Sequence, residues 1–353
     1  MMYKILNFRL VSVLFFAAFI LMIMVNPQLC RQGVTKGLLL CGRVVIPSLF
    51  PFTVCVLFII KSRIMEKLKF LDFFTQKVFG LSFELFSLMI LSFIGGYPVG
   101  AKLLNCAVEE KRLTPDHAGI MLNYCVNAGP GFIVAAVGSA IMGSQKLGII
   151  LLISHISGSL IICIVSRFFK TEKAYSTHQP SALCFTDNFI LSVSEAASSL
   201  LSICSFVILF SSVNSYIEYF LNSFKFFHLI SLFTEVTNAV TLTNNIYLIA
   251  FLLGFAGLSI WCQILAVGNK IKINFLIFVL FRILHGFLSA VFTYLIIKFC
   301  RITVPAVSNG KAFNFTLLYS TPALAISMLI MGMVFVISVA TKKYAGKITE
   351  NMI

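Results

Sequence analysis

The stretch SFIGGYPVGAKLL, Ser92–Leu104, decides how the chain is read. It follows the apolar run ELFSLMIL (Glu84–Leu91) and sets Gly95, Gly96, Pro98 and Gly100 where a membrane helix should continue. Glycine lets two backbones approach closely and proline removes an N–H donor, so the stretch reads as a break in a helix. At membrane depth a break is tolerated only where protein or a water-filled cavity satisfies the freed peptide groups.

The membrane setting follows from composition. Of 353 residues, 59% are hydrophobic and 11% charged, with 37 phenylalanines and a mean hydropathy of +1.00. No water-soluble domain needs so much apolar surface, so the expectation is an all-α polytopic membrane protein in the cell membrane. The net charge of +15 sits in short basic clusters between apolar runs. That is how loops hold to anionic lipid, and no nucleic-acid partner is expected. Ten cysteines are scattered, most of them in apolar segments, without C-x-x-C or Cys/His spacing. They read as small buried apolar side chains, and no cofactor or metal is expected.

Windows long enough to cross a bilayer fall near 9–26, 44–60, 117–142, 147–168, 188–213, 247–268, 275–298 and 317–341. The first reads as an uncleaved transmembrane helix, because NPQLC (Asn26–Cys30) offers no small-x-small cleavage site. Two interrupted pieces, 84–106 and 228–246, read as re-entrant hairpins. About eight transmembrane helices plus two hairpins are therefore expected. With both termini in the cytoplasm, the loops 61–82, 168–187 and 268–274 and the C-terminal tail carry most of the Lys and Arg, as the positive-inside rule requires. Arg31, Lys36 and Arg43 run against that placement of 27–43.

The two hairpins then open to opposite faces, which suggests an inverted repeat. LLLCGRVVIPS (Leu38–Ser48) aligns with LSICSFVILFS (Leu201–Ser211), placing Cys41 over Cys204, Val44 over Val207 and Ser48 over Ser211. Each segment precedes an interrupted hairpin and then a helix broken at NAGPG (Asn127–Gly131) or FAGLS (Phe255–Ser259). The expected units are 1–34, an N-terminal transmembrane helix and outer loop; 35–170, the first repeat; 188–300, the second repeat; and 301–353, a C-terminal transmembrane helix and basic tail.

Half-helix ends converging near the midplane would form a solute site, N-termini favouring anionic groups and C-termini cations. The residues placed there are Gly95, Gly96 and Tyr97 of the first hairpin, Asn127 and Gly129 of the first broken helix, Glu235, Thr237 and Asn238 of the second hairpin, and Gly257, Ser259 and Gln263 of the second broken helix. Glu235 lies in an apolar context, where a carboxylate is costly and points to function; the plainer reading is a helix cap or an interfacial ion pair. Ser259 and Gln263 are one turn apart and can share a cavity, with Trp261 on another face as a belt residue. His155 and His285 follow the two broken helices at similar distances and are expected to make interhelical hydrogen bonds. For Arg282 the sequence leaves snorkelling and a carboxylate partner both open.

VIPSLFPF (Val45–Phe52), GGYPVGAKL (Gly95–Leu103), NAGPGFI (Asn127–Ile133), TEVTNA (Thr234–Ala239) and FAGLSIWCQ (Phe255–Gln263) resemble the YlbJ-type sporulation integral membrane proteins. That family carries the nucleoside-recognition Gate domain and is related to concentrative nucleoside transporters. The resemblance spans roughly residues 35–300. It implies a nucleoside-transporter-like core and a role in endospore formation, but carries over no substrate. Ala239 and Val126 depart from the pattern, standing where a glycine and a polar residue would be expected.

Two functions are weighed. One is a transporter moving a small polar solute, nucleoside-like or another metabolite, by alternating access, with a proton or sodium as coupling ion and a homo-oligomer allowed. The other is a non-transporting membrane protein needed for spore envelope (cortex or coat) assembly. An enzyme is not expected: there is no Ser/His/Asp order, zinc spacing or acidic pair on one helix face, and no Walker-type loop.

Overall fold

A computed structural model describes residues 2–62, 70–168, 185–221, 230 and 232–302. No strand occurs among these residues. The helices are α1 Met2–Val25, α2 Pro27–Leu40, α3 Ile46–Lys61, α4 Asp72–Phe79, α5 Phe83–Gly95, α6 Val99–Glu109, α7 Pro115–Cys125, α8 Gln145–Ser166, α9 Phe185–Leu221, α10 Val236–Ala239, α11 Ile246–Phe255, α12 Gly257–Val267 and α13 Phe275–Phe299. Two stretches, Cys41–Val45 and Gly131–Ile141, are π-helical, the wider turn sometimes found where a helix must adapt to function.

The faces of the long helices are inverted relative to a soluble protein. On α13 the buried side carries Arg282, His285, Ser289 and Thr293, while Leu276, Leu280, Leu284, Phe287 and Val291 are exposed. On α8 the buried side carries Ser154, His155 and Ser159, with Ile149, Ile153, Ile161 and Ile164 outward. Polar groups inside and bulky apolar groups outside suit a lipid solvent.

Four described helical stretches are long and apolar enough to cross a membrane, or up to six if each bent pair counts as one span. The difference from the expected eight has three sources. The window 117–142 divides into α7 and a π segment of 11 residues each, too short to cross alone. The side chains of residues 2–12 and all of 317–341 lie outside the described residues. The window 44–60 belongs to a bent pair, Pro27–Val45 with Leu49–Lys61, at 55°.

The bent pair begins within the stretch expected to hold an outer loop. Residues 27–40, expected to include an outer loop, form α2, with Pro27 at its first turn. α2 lies along α9, where Gly33 meets the backbone of Ser212 and Gly37 that of Ile208. Small residues permit this approach between membrane helices. The contact continues in register: the Cys41 thiol donates to the Cys204 carbonyl at 3.7 Å, and the Asn188 side-chain amide to the Phe58 carbonyl at 3.2 Å.

α5 and α6 run out from one end of the bundle and back. Their lengths, 13 and 11 residues, are about 20 and 16 Å, short of the roughly 30 Å hydrocarbon core. Their outer ends meet where Arg112 pairs with Glu84 at 2.8 Å and with Glu110 at 2.6 Å. Burial alone would lower the Arg112 pKa, but the two carboxylates outweigh it and hold the guanidinium above its ordinary value. At the same end Arg167 donates to the carbonyls of Lys77 and Val78, the Lys272 amide to the Pro115 carbonyl, and the Lys270 amide to Asn105 Oδ1.

Gly100, in the first turn of α6, sets the spacing between this hairpin and the end of α7: a Cβ there would lie 1.9 Å from the Cys125 carbonyl oxygen. Gly100→Ala is expected to cost about 2–4 kcal/mol by forcing backbone apart, read as a lowered unfolding midpoint in detergent micelles. An unchanged midpoint would mean that α6 and α7 are not packed this way.

Candidate functional site

Four interruptions come together inside the bundle. Between α5 and α6 the chain turns at Gly96–Tyr97–Pro98, with Gly96 at φ +72°, a backbone that L side chains rarely adopt. α7 stops at Cys125 and residues 126–129 are non-helical before helix resumes. Glu235 separates 232–234 from α10. Ala256 and Gly257, at φ +74° and +78°, part α11 from α12. The interruptions dock in pairs. A Cβ on Gly96 would meet the Gly129 nitrogen at 2.8 Å, and one on Gly257 would touch the Phe233 carbonyl and the Val236 nitrogen at 3.4 Å.

Between the two pairs lies a small cavity of about 30 Å3, room for a water or two. Tyr97, Gly129, Glu235, Thr237 and Gln263 line it, one or more from each interrupted element. Glu235 is 1% exposed, and its Oε1 accepts from the Thr237 amide at 2.9 Å. The helix-cap reading of Glu235 is thus present alongside its place on the cavity wall. Tyr97 is 8% exposed, and its hydroxyl has no hydrogen-bond partner among the described residues.

Other candidates sit elsewhere. Gly95 packs on Val99 and Val56, and Gly96 and Gly257 serve the backbone contacts. Ser259 accepts from Gln263 Nε2 at 3.4 Å and does not itself line the cavity. The Asn238 side chain lies outside the described residues. Asn127 is turned into the first break: its amide donates to the Tyr124 carbonyl at 2.7 Å. Its Oδ1 accepts from Ser159 at 2.6 Å.

The first break is sealed from two neighbouring helices. From α8, His155 Nε2 accepts the Ala128 N–H at 3.0 Å, so its ring proton sits on Nδ1. From α13, Arg282 donates to the Val126 carbonyl at 2.5 Å and to the Asn123 carbonyl. The His285 Nε2–H donates to the His155 carbonyl at 2.9 Å, leaving Nδ1 to accept from Arg282 at 3.3 Å. Both histidines therefore make interhelical bonds, and their rings lie 4.4 Å apart. At the second break Trp261, read above as a belt residue, is buried and donates to the Phe255 carbonyl at 2.9 Å.

Sequence reasoning missed the aliphatic wall of Val45, Leu49, Ile203 and Val207. The signal was present, since all but Leu49 belong to the two segments whose alignment suggested a repeat. Among the described residues no group of three or more His, Cys, Asp and Glu side chains is placed to share a metal ion.

An all-helical bundle with polar faces inward, apolar faces outward and helix breaks gathered on an internal cavity belongs to the class of polytopic integral membrane proteins. Among curated proteins the chain is similar to the sporulation integral membrane protein YlbJ of Bacillus subtilis (strain 168), 23% identical over 348 residues, with 83% of this chain and 84% of that protein covered. No family model matches the chain, and no solved structure does.

Removing the acceptor for a buried N–H costs more than removing one hydroxyl from a site with other donors. His155→Leu is therefore expected to lower stability by about 2–3 kcal/mol and Ser159→Ala by about 1 kcal/mol, compared by denaturant titration in micelles. The reverse order would remove His155 as the partner of Ala128.

Proposed function

We propose that the chain is a sporulation-associated integral membrane protein that moves a small polar solute, nucleoside-like or another metabolite, across the membrane by alternating access. The observation that carries this reading is the shared cavity: Tyr97, Gly129, Glu235, Thr237 and Gln263 reach it from all four interrupted elements. The space open within it is about 30 Å3, room for a water or two, so a solute would enter only as alternating access widens the site. The sporulation role rests on the likeness to YlbJ.

An inverted repeat, with α5–α6 and the segment around α10 as re-entrant hairpins, is the organisation this function uses, as the resemblance to Gate-domain and nucleoside-transporter proteins implies. Supporting it, residues at matching positions in the two halves meet one another: Cys41 with Cys204 and His155 with His285. Partners related by a two-fold axis touch in this way near the axis. The basic end of the bundle, with Lys77, Arg112, Arg167, Lys270 and Lys272, is the cytoplasmic end, and the N-terminus lies there. Glu235 is the residue through which a proton or sodium ion would couple to the solute.

The second reading, a spore-envelope assembly protein without transport, is favoured by the inward bonding of Asn127 and by the many aliphatic side chains on the cavity wall. Uptake into liposomes by the purified protein, screened with nucleosides, amino acids and divalent metals with and without an ion gradient, separates the two. Transport predicts saturable uptake that Glu235→Gln and Gly96→Leu each reduce at least about tenfold, as loss of a site contact or closure of the hairpin contact would. Absence of uptake and binding, with both variants still supporting sporulation, would leave the assembly role.

A further inference from the structure

α7 ends in mid-bundle, and the last carbonyls of a helix carry the negative end of its dipole, a place that draws cations. In membrane transporters, such unwound carbonyls commonly coordinate a dissolved ion. Here Arg282 reaches the place from a helix more than 150 residues away in sequence, with its guanidinium on the Asn123 and Val126 carbonyls. It is 0% exposed and lies 5.7 Å from the Phe278 ring. Among the described residues no carboxylate pairs with it, so helix-terminal carbonyls are its counter-charge. The second break differs, because a neutral donor, Trp261, takes the Phe255 carbonyl.

We infer that Arg282 is a built-in cation filling the position a mobile monovalent ion would otherwise occupy at the first break, so that this half of the protein holds its shape without bound sodium or potassium. Removing the guanidinium would leave a carbonyl-lined hollow that accepts a small cation. The inference stands apart from solute transport, since its readout is cation-dependent folding stability.

The test uses the full chain in detergent micelles, melted at equal ionic strength in sodium, potassium or N-methylglucamine chloride. Wild type is expected to melt within about 1 °C in all three; a rise of several degrees in sodium or potassium alone would overturn the inference. Arg282→Ala is expected to melt on the order of 5 °C lower, from the orphaned carbonyls. Millimolar guanidinium or sodium should restore about half of that loss, as a ligand bound only by the folded state does, and N-methylglucamine should not. No recovery with either cation would sink the idea. Should the alanine variant not fold, Arg282→Lys is compared with Arg282→Met. The lysine variant, which keeps a charge near the carbonyls, is expected to melt several degrees higher, and equal melting would count against a cation site.

Discussion

A peptide group without a partner in hydrocarbon is so costly that a helix can stop at membrane depth only if something else supplies its bonds. The bundle is arranged around that constraint. Helix α7 ends with its last carbonyls facing α13, and Arg282 takes two of them. The non-helical segment that follows gives its Ala128 N–H to His155 and keeps Asn127 folded back on Tyr124 and Ser159. These partners explain why α8 and α13, otherwise apolar toward the outside, carry their polar residues on one side.

The same constraint couples the two helices to each other. His285 is held between the Arg282 guanidinium and the His155 carbonyl, and His155 in turn holds the break. Loss of one member therefore exposes the needs of the next, as expected of a buried polar network. Glycine completes the arrangement where side chains would keep backbones apart: Gly96 against Gly129 brings the hairpin turn onto the break it faces.

The elements legible in the sequence were those marked by backbone chemistry. GGYPVG, NAGPG and FAGLS announced three of the four interruptions, because glycine and proline act on the chain locally. Helix α2 was not legible, since Arg31, Gly33, Lys36 and Gly37 make 27–40 look like a polar loop; its helical form is stabilised by contact with α9, a partner about 180 residues away. Arg282 was undecided for the same reason, its acceptors being 156 and 159 residues distant. Trp261 looked like an interface residue by type, but its neighbour in space is the Phe255 carbonyl. Local chemistry is written in the sequence, whereas the partner of a long side chain is set by packing.

The α5–α6 hairpin is held unequally along its length. Its base is tied by Arg112 to Glu84 and Glu110. Its flank is tied by Lys102 to Glu195 at 3.2 Å, a carboxylate that also binds Lys61 at 2.8 Å. At the tip the contact with the facing break is glycine against glycine, and the Tyr97 hydroxyl has no protein partner among the described residues. Charged bonds thus fix the base of the hairpin, the end a membrane would place toward water, whereas near the tip the glycine packing is backed by one ion pair from the first turn of α6.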